Sequence, residues 1–195
     1  MNRLETLAIV AAGLIACAVT VAVTASGPDS EYVELEALAR ALTVGAPIAV
    51  GLYARQFAPS ARFGNLLILS GFGWFMTTLS ESDQAWLYSV GRVSGWLAEV
   101  GLIYMILAFP TGRLTAQVDR VLVGASALLV LCLFLPTALL VDSYPLPTPW
   151  VDCGDGCPGN AFMVVDTQPA FIDDLVRPLR EFINVARSRP RTARR

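Results

Sequence analysis

Three ionisable residues stand where a chain this apolar has least use for charge: Arg40, Arg92 and Glu99. Each falls inside a long hydrophobic run. A charged side chain in the middle of a membrane helix costs about 2.5–3.5 kcal/mol on insertion scales, so it must face inward, pair or be neutralised. Glu99 lies deepest in its run. Arg92 precedes it by seven residues. That is two turns along nearly the same face and ~10 Å of helical rise, so a water or another helix has to link the two. Arg40 is the partner expected from a second helix. The functional expectation is an intramembrane polar cluster of Arg40, Arg92 and Glu99 that senses a ligand, protons or envelope stress. The plain alternative is a snorkelling arginine with a structural buried acid.

Two further constellations carry chemistry. Cys153-Gly-Asp-Gly-Cys157 lies in a loop expected outside the membrane, where a small disulfide is the first choice and the intervening glycines permit the tight turn. A metal site using Asp152 and Asp155 is the rival, but two cysteines without histidine are half of the usual zinc set, and no metal is expected. Cys17 and Cys132 fall inside hydrophobic runs and read as small packing residues. Gly91-Arg-Val-Ser-Gly95 is a GxxxG, with Glu99 one turn further on, so this face can meet another helix or a second copy of the chain.

What is missing narrows the chemistry. The chain has no histidine and no lysine, since all 14 basic residues are arginines. Serine–histidine and cysteine–histidine catalysis, histidine metal ligation and a Walker-type phosphate loop are therefore absent. A formal net charge of −2 gives no global basic field, so nucleic acid is not an expected partner. No cofactor is expected.

The elements that must position these residues are membrane helices. Of 195 residues, 55% are hydrophobic and only 15% charged, and the mean hydropathy is +0.58. Soluble domains carry about 25% charged residues, so the lipid bilayer is the expected surrounding of most of this chain. Five runs reach the ~20 apolar residues a span needs: 7–23, 38–54, 63–79, 86–109 and 121–141. Pro47 and Pro136 inside two of them are expected to kink and not to break the helices. The fold class expected is an all-α polytopic bundle. Arg3, then Arg55 and Arg62, then Arg113 and Arg120 fall in alternate connections, while the intervening ones hold Asp29, Glu31, Glu34, Glu36, Glu81 and Asp83. The positive-inside rule then places the N-terminus in the cytoplasm of a multi-pass plasma-membrane protein, with Trp86 at the outer interface. A competing reading of 7–23 as a cleaved signal peptide, with Val23-Thr24-Ala25 at the cleavage site, leaves that orientation unchanged.

Beyond Val141 the character changes. Residues 142–168 hold Pro145, Pro147, Pro149 and Pro158 with several glycines and aspartates, and read as an extracytoplasmic loop. Residues 169–186 set Phe171, Ile172, Leu175, Val176, Leu179, Phe182 and Ile183 at helical spacing opposite charged residues, as an interfacial amphipathic helix does. Residues 187–195 hold five arginines and read as a disordered tail. Such a tail belongs in the cytoplasm, yet five spans leave it outside: a sixth span lacking here is the first choice, with re-entry of the amphipathic stretch into the membrane or export of the tail as the alternatives.

Phe109-Pro110-Thr111-Gly112-Arg113-Leu114 closes the fourth run. Pro110 and Gly112 end a helix and Arg113 anchors it among head groups, which accounts for the segment physically. The longer string Leu107–Leu114, followed by an arginine-bearing connection and another span, also resembles the N-terminal membrane region of actinobacterial-type sensor histidine kinases. Cys157-Pro158-Gly159-Asn160, closing a cysteine-containing loop, is similar to the same group. The resemblance covers roughly residues 86–180. It implies a further span after the loop, then a dimerisation helix with the phospho-accepting histidine and an ATP-binding domain. None of these is in this chain. The expectation is therefore a two-component signal-input region without its transmitter, truncated, with no enzymatic activity of its own. Its expected partners are the bilayer, a second copy or an intact sensor kinase. The alternative is a small accessory or structural subunit of a membrane complex unrelated to kinases.

Overall fold

The computed structural model describes residues 3–26, 33–57, 60–144 and 157–169. All regular structure among them is helical. Lipid offers a backbone no hydrogen-bond partners, so apolar runs of this length must close their bonds internally as helices. They do so as α1 (Arg3–Ala25), α2 (Val33–Ala54), α3 (Ala61–Thr78), α4 (Ala85–Leu107) and α5 (Gln117–Leu140). Four of these, α1, α2, α4 and α5, are long and apolar enough to cross a membrane. The chain is a multi-pass membrane protein with an all-α bundle.

The five expected runs overlap these five helices, with shifted ends, but the run 63–79 falls on α3, which is not among the four helices long and apolar enough to cross a membrane. α4 stops at Leu107 where residue 109 was expected, because the chain turns through Ala108–Gly112. α3 is the exception in apolarity, since it includes Arg62, Asn65 and two terminal threonines. It compensates by position: α3 packs most extensively on α2 and next on α4, so it runs through the middle of the bundle. The expected amphipathic helix 169–186 and the arginine tail 187–195 lie, apart from residue 169, outside the described residues.

Close packing here depends on small residues. A Cβ at Gly51 would sit 2.5 Å from the Gly64 carbonyl oxygen, and one at Gly64 would sit 2.6 Å from that of Gly51. The α2 and α3 backbones therefore touch where both side chains are absent. Ala16, Val44 and Ile48 form one buried cluster there, while Leu14, Leu69, Ile106 and Leu131 are exposed on the outside. Large residues outside and small ones between helices is the pattern that lipid solvent favours.

α5 is the outlying rod. None of its residues Gln117–Leu129 is buried. Its ladder widens to a π turn over Val130–Phe134, directly before Pro136. Proline has no N–H to donate and crowds the carbonyl four residues earlier, so the expected disturbance takes the form of a π turn. In α2, Pro47 leaves the helix unbroken.

Candidate functional site

Two polar clusters and one turn organise the ends of the bundle. The first cluster grows from α4, where Tyr88, Arg92 and Trp96 recur at one-turn spacing and are all buried. Tyr144, just beyond α5, closes over them. Its ring meets Tyr88 edge-on at 5.8 Å and Trp96 at 6.1 Å. The Arg92 guanidinium carbon lies 5.9 Å from the Tyr88 ring centre and 5.6 Å from that of Tyr144, with the residue only 5% exposed. Desolvated cation–π contacts of this kind are worth about 2 kcal/mol or more. Burial pushes the Tyr144 phenol up, and the Ser89 hydrogen bond and the Arg92 charge offset this only in part. The Tyr88 hydroxyl, buried beside it, has no hydrogen-bond partner among the described residues.

Asn160 locks this cluster to the loop. Its side-chain amide donates to the carbonyls of Ala138 (2.5 Å) and Val141 (2.8 Å). Its side-chain oxygen accepts from the Tyr144 hydroxyl and the Phe162 amide, both at 2.8 Å. A primary amide has two donors and two acceptor sites, so all four are used. Nearby, the Asn160 amide donates to Asp142 O (3.0 Å) and the Val164 amide to Leu139 O (3.0 Å). These bonds satisfy carbonyls that the end of α5 would otherwise leave open. The Ala161 amide donates to the Ser89 hydroxyl on α4 at 2.9 Å. Cys157 packs on the same aromatic cluster and is disulfide-bonded, whereas Cys17 and Cys132 are free. Its expected partner, Cys153, lies outside the described residues.

The second cluster joins three helices at the same end. Arg40 of α2 forms ion pairs with Glu81, in the short turn after α3, and with Glu36 at 3.0 Å. The Thr24 hydroxyl of α1 donates to the other Glu81 oxygen at 2.8 Å. The Glu81 side chain is 12% exposed. Burial pushes its carboxyl above the ordinary glutamate range, although Arg40 and the Thr24 hydrogen bond pull it back.

The turn lies at the opposite end. Gly112 has φ +73°, a left-handed conformation that glycine alone adopts freely, and its amide donates to Ala108 O at 2.7 Å. A Cβ there would also come within 2.8 Å of the Phe63 amide nitrogen. Phe109 and Phe63 stack edge to face at 5.2 Å. Thr111 Oγ1 accepts from the Arg113 amide at 3.3 Å, and Pro110 and Leu114 complete the segment. At this end Arg55 also pairs with Glu5 at 2.5 Å.

The three charges expected together are thus apart. Arg92 is held among tyrosines, Arg40 by two carboxylates, and Glu99 is exposed on α4 with no hydrogen bond or ion pair among the described residues. A helix rotates its side chains by 100° per residue, and spacing along one chain does not say which helix lies opposite. The GxxxG also divides. A Cβ at Gly91 would fall 2.1 Å from the Ser80 amide nitrogen, whereas one at Gly95 would meet nothing within 4 Å. Sequence reasoning passed over Tyr88, Trp96 and Tyr144. The one-turn spacing of Tyr88, Arg92 and Trp96 was the available signal for the first two. Glu81 counted only as a marker of orientation. No family model, curated protein or solved structure matches the chain.

Proposed function

We propose that this chain is the signal-input region of a membrane sensor of the histidine-kinase type, seated in the plasma membrane with its N-terminus in the cytoplasm. One observation carries the reading. The two segments that resemble that family sit at opposite ends of α4: Asn160 and its neighbours reach Ser89 near one end, and Phe109–Leu114 forms the turn beyond the other. A ligand that moves the 157–169 segment has to break bonds to α5 and to Ser89, so the disturbance enters α4 directly. Arg92, clamped between two tyrosine rings, then resists or transmits rotation of that rod. At the far end the Gly112 turn rests against the start of α3. The arginine distribution, by the positive-inside rule, supports a cytoplasmic position for that far end.

These 195 residues hold no histidine to accept a phosphoryl group, so in this reading they act on a kinase module coupled to them. The test reconstitutes the full chain in vesicles with a sensor kinase of the same membrane architecture and measures the autophosphorylation rate of the kinase. The expected result is a change in that rate, abolished by Asn160→Ala. An unchanged rate together with no co-purification overturns the reading.

A further inference from the structure

Arg62 and Arg113 are neighbours at one end of the bundle. A Cβ at Gly112 would come within 3.0 Å of the Arg62 Cβ, so the turn after α4 carries Arg113 up to the start of α3. Both are exposed, and neither guanidinium has an ion pair or hydrogen bond among the described residues, while Glu5 at this end is held by Arg55. Arg62 is also the second residue of α3, whose first turn holds no acid. A cation at the positive end of a helix dipole is unfavourable, and an anion placed there relieves it. From Arg62 the same face of α3 continues through Leu66, Gly73 and Met76 at helical spacing. These three help to form one wall of a groove of about 520 Å³, and α4 supplies the other wall from Ser94 to Met105. Gly73 and Gly101 line it, and a Cβ at either would meet nothing within 4 Å. The groove follows ~16 Å of α4, about half of the ~30 Å hydrocarbon core. It ends two residues short of Leu107, towards the arginines.

We infer that this end of α3 and α4 binds one anionic phospholipid, its acyl chain in the groove and its phosphate between Arg62 and Arg113. The volume decides the occupant. A helix ~16 Å long and ~10 Å across displaces about 1,200 Å³, more than twice the groove, so neither a second copy nor the span of another protein fits into it. A single hydrocarbon chain is thin enough, and the length of the groove matches the depth of one leaflet. Left empty, an apolar groove forfeits dispersion contacts along both walls. The flexible thioethers of Met76 and Met105 adapt their wall to a bent chain. The arginines select the head group. A phosphate accepts the planar guanidinium fork, and a head group without an amine keeps its full negative charge for the pair. A basic site at the mouth of an interhelical pocket is the arrangement that anionic head groups recognise. The inference stands on these positions and does not depend on the sensor reading.

The test reconstitutes the full chain in phosphatidylcholine vesicles that hold a trace of phosphatidylglycerol with a photoactivatable diazirine in one acyl chain. After illumination, mass spectrometry maps the labelled residues. Labelling is expected to concentrate on positions 66–76 and 94–105, and to fall as unlabelled phosphatidylglycerol replaces phosphatidylcholine at constant total lipid. Arg62→Gln and Arg113→Gln should each raise the phosphatidylglycerol fraction needed for half-displacement about fivefold, the worth of one arginine at an anionic surface. Gly101→Leu fills the groove without meeting protein and should abolish labelling there while the chain melts like wild type. Inorganic phosphate should not compete. Four results overturn the inference. One is labelling spread evenly over the exposed faces of α1 and α5 as well as the groove. The second is groove labelling that phosphatidylglycerol does not reduce, or that both arginine variants leave unchanged. The third is a folded Gly101→Leu variant labelled like wild type. The fourth is displacement by inorganic phosphate, which assigns the arginines to a soluble anion.

Discussion

Single residues decide how the ends of the bundle are held. Asn160 makes four side-chain hydrogen bonds that tie the loop to α5 and Tyr144. Asn160→Ala leaves carbonyls at the end of α5 without partners, and each buried unsatisfied group costs about 1–3 kcal/mol. The variant is expected to unfold several degrees earlier in detergent, read from tryptophan fluorescence because Trp96 packs in the same cluster. Asn160→Asp should do no better, since a carboxylate cannot donate to the Ala138 and Val141 carbonyls. Glu81 gives a dependence on pH. A carboxyl whose folded value lies above its unfolded one binds its proton more tightly when folded. Its stabilising contribution is thus complete below the ordinary glutamate range and is lost as pH rises through the raised value. Glu36, Arg40 and Thr24 are the groups around it. The midpoint of wild type measured against Glu81→Gln should therefore fall as pH rises across that window. A difference that rises with pH would show that the Arg40 charge outweighs burial.

At the scale of elements, α4 joins the parts. Its first half is gripped by the Ser80 turn, Tyr144 and residue 161, and its second half meets α3 across a groove of about 520 Å³ lined by Leu69, Gly73, Met76, Leu97 and Gly101. This contrast yields a matched pair of substitutions. Gly91→Ala drives a methyl group into the Ser80 backbone and should cost about 1–3 kcal/mol as overpacking does. Gly101→Ala meets open space and should leave the melting temperature unchanged. Equal effects of the two would contradict the close approach of the Ser80 turn to α4. The α2–α3 crossing is the other sensitive point, where Gly51 and Gly64 place backbone against backbone.

The whole molecule is an apolar bundle whose outer surface is matched to lipid. Leu14, Ile15, Leu69, Ile106, Leu128 and Leu131 are all more than half exposed, which in water would drive aggregation. The chain should sediment with membranes through an alkaline wash and enter solution only with detergent. Recovery as a monomer without detergent would contradict the membrane assignment. Cys132 offers a finer check, because it is free and exposed near the middle of α5. Its thiol cannot ionise in hydrocarbon, so it should resist maleimides in intact vesicles and react once the chain is unfolded in detergent.

Composition and the lengths of the apolar runs were enough to determine that the chain is helical and that several of its helices are long and apolar enough to cross a membrane. A backbone in hydrocarbon has no other way to satisfy its hydrogen bonds, so that much follows without knowing any contact. The Leu107–Leu114 turn was also readable, because proline and glycine act locally. Which charges meet was not readable. Arg40 found Glu81, Arg92 found two tyrosines from α4 and the segment after α5, and Glu99 found no described partner. Pairing of this kind depends on the rotation of each helix about its axis and on which neighbour it faces. Those are set by the fit of glycine against backbone at Gly51, Gly64 and Gly91, a property of several helices packed together and of none read alone.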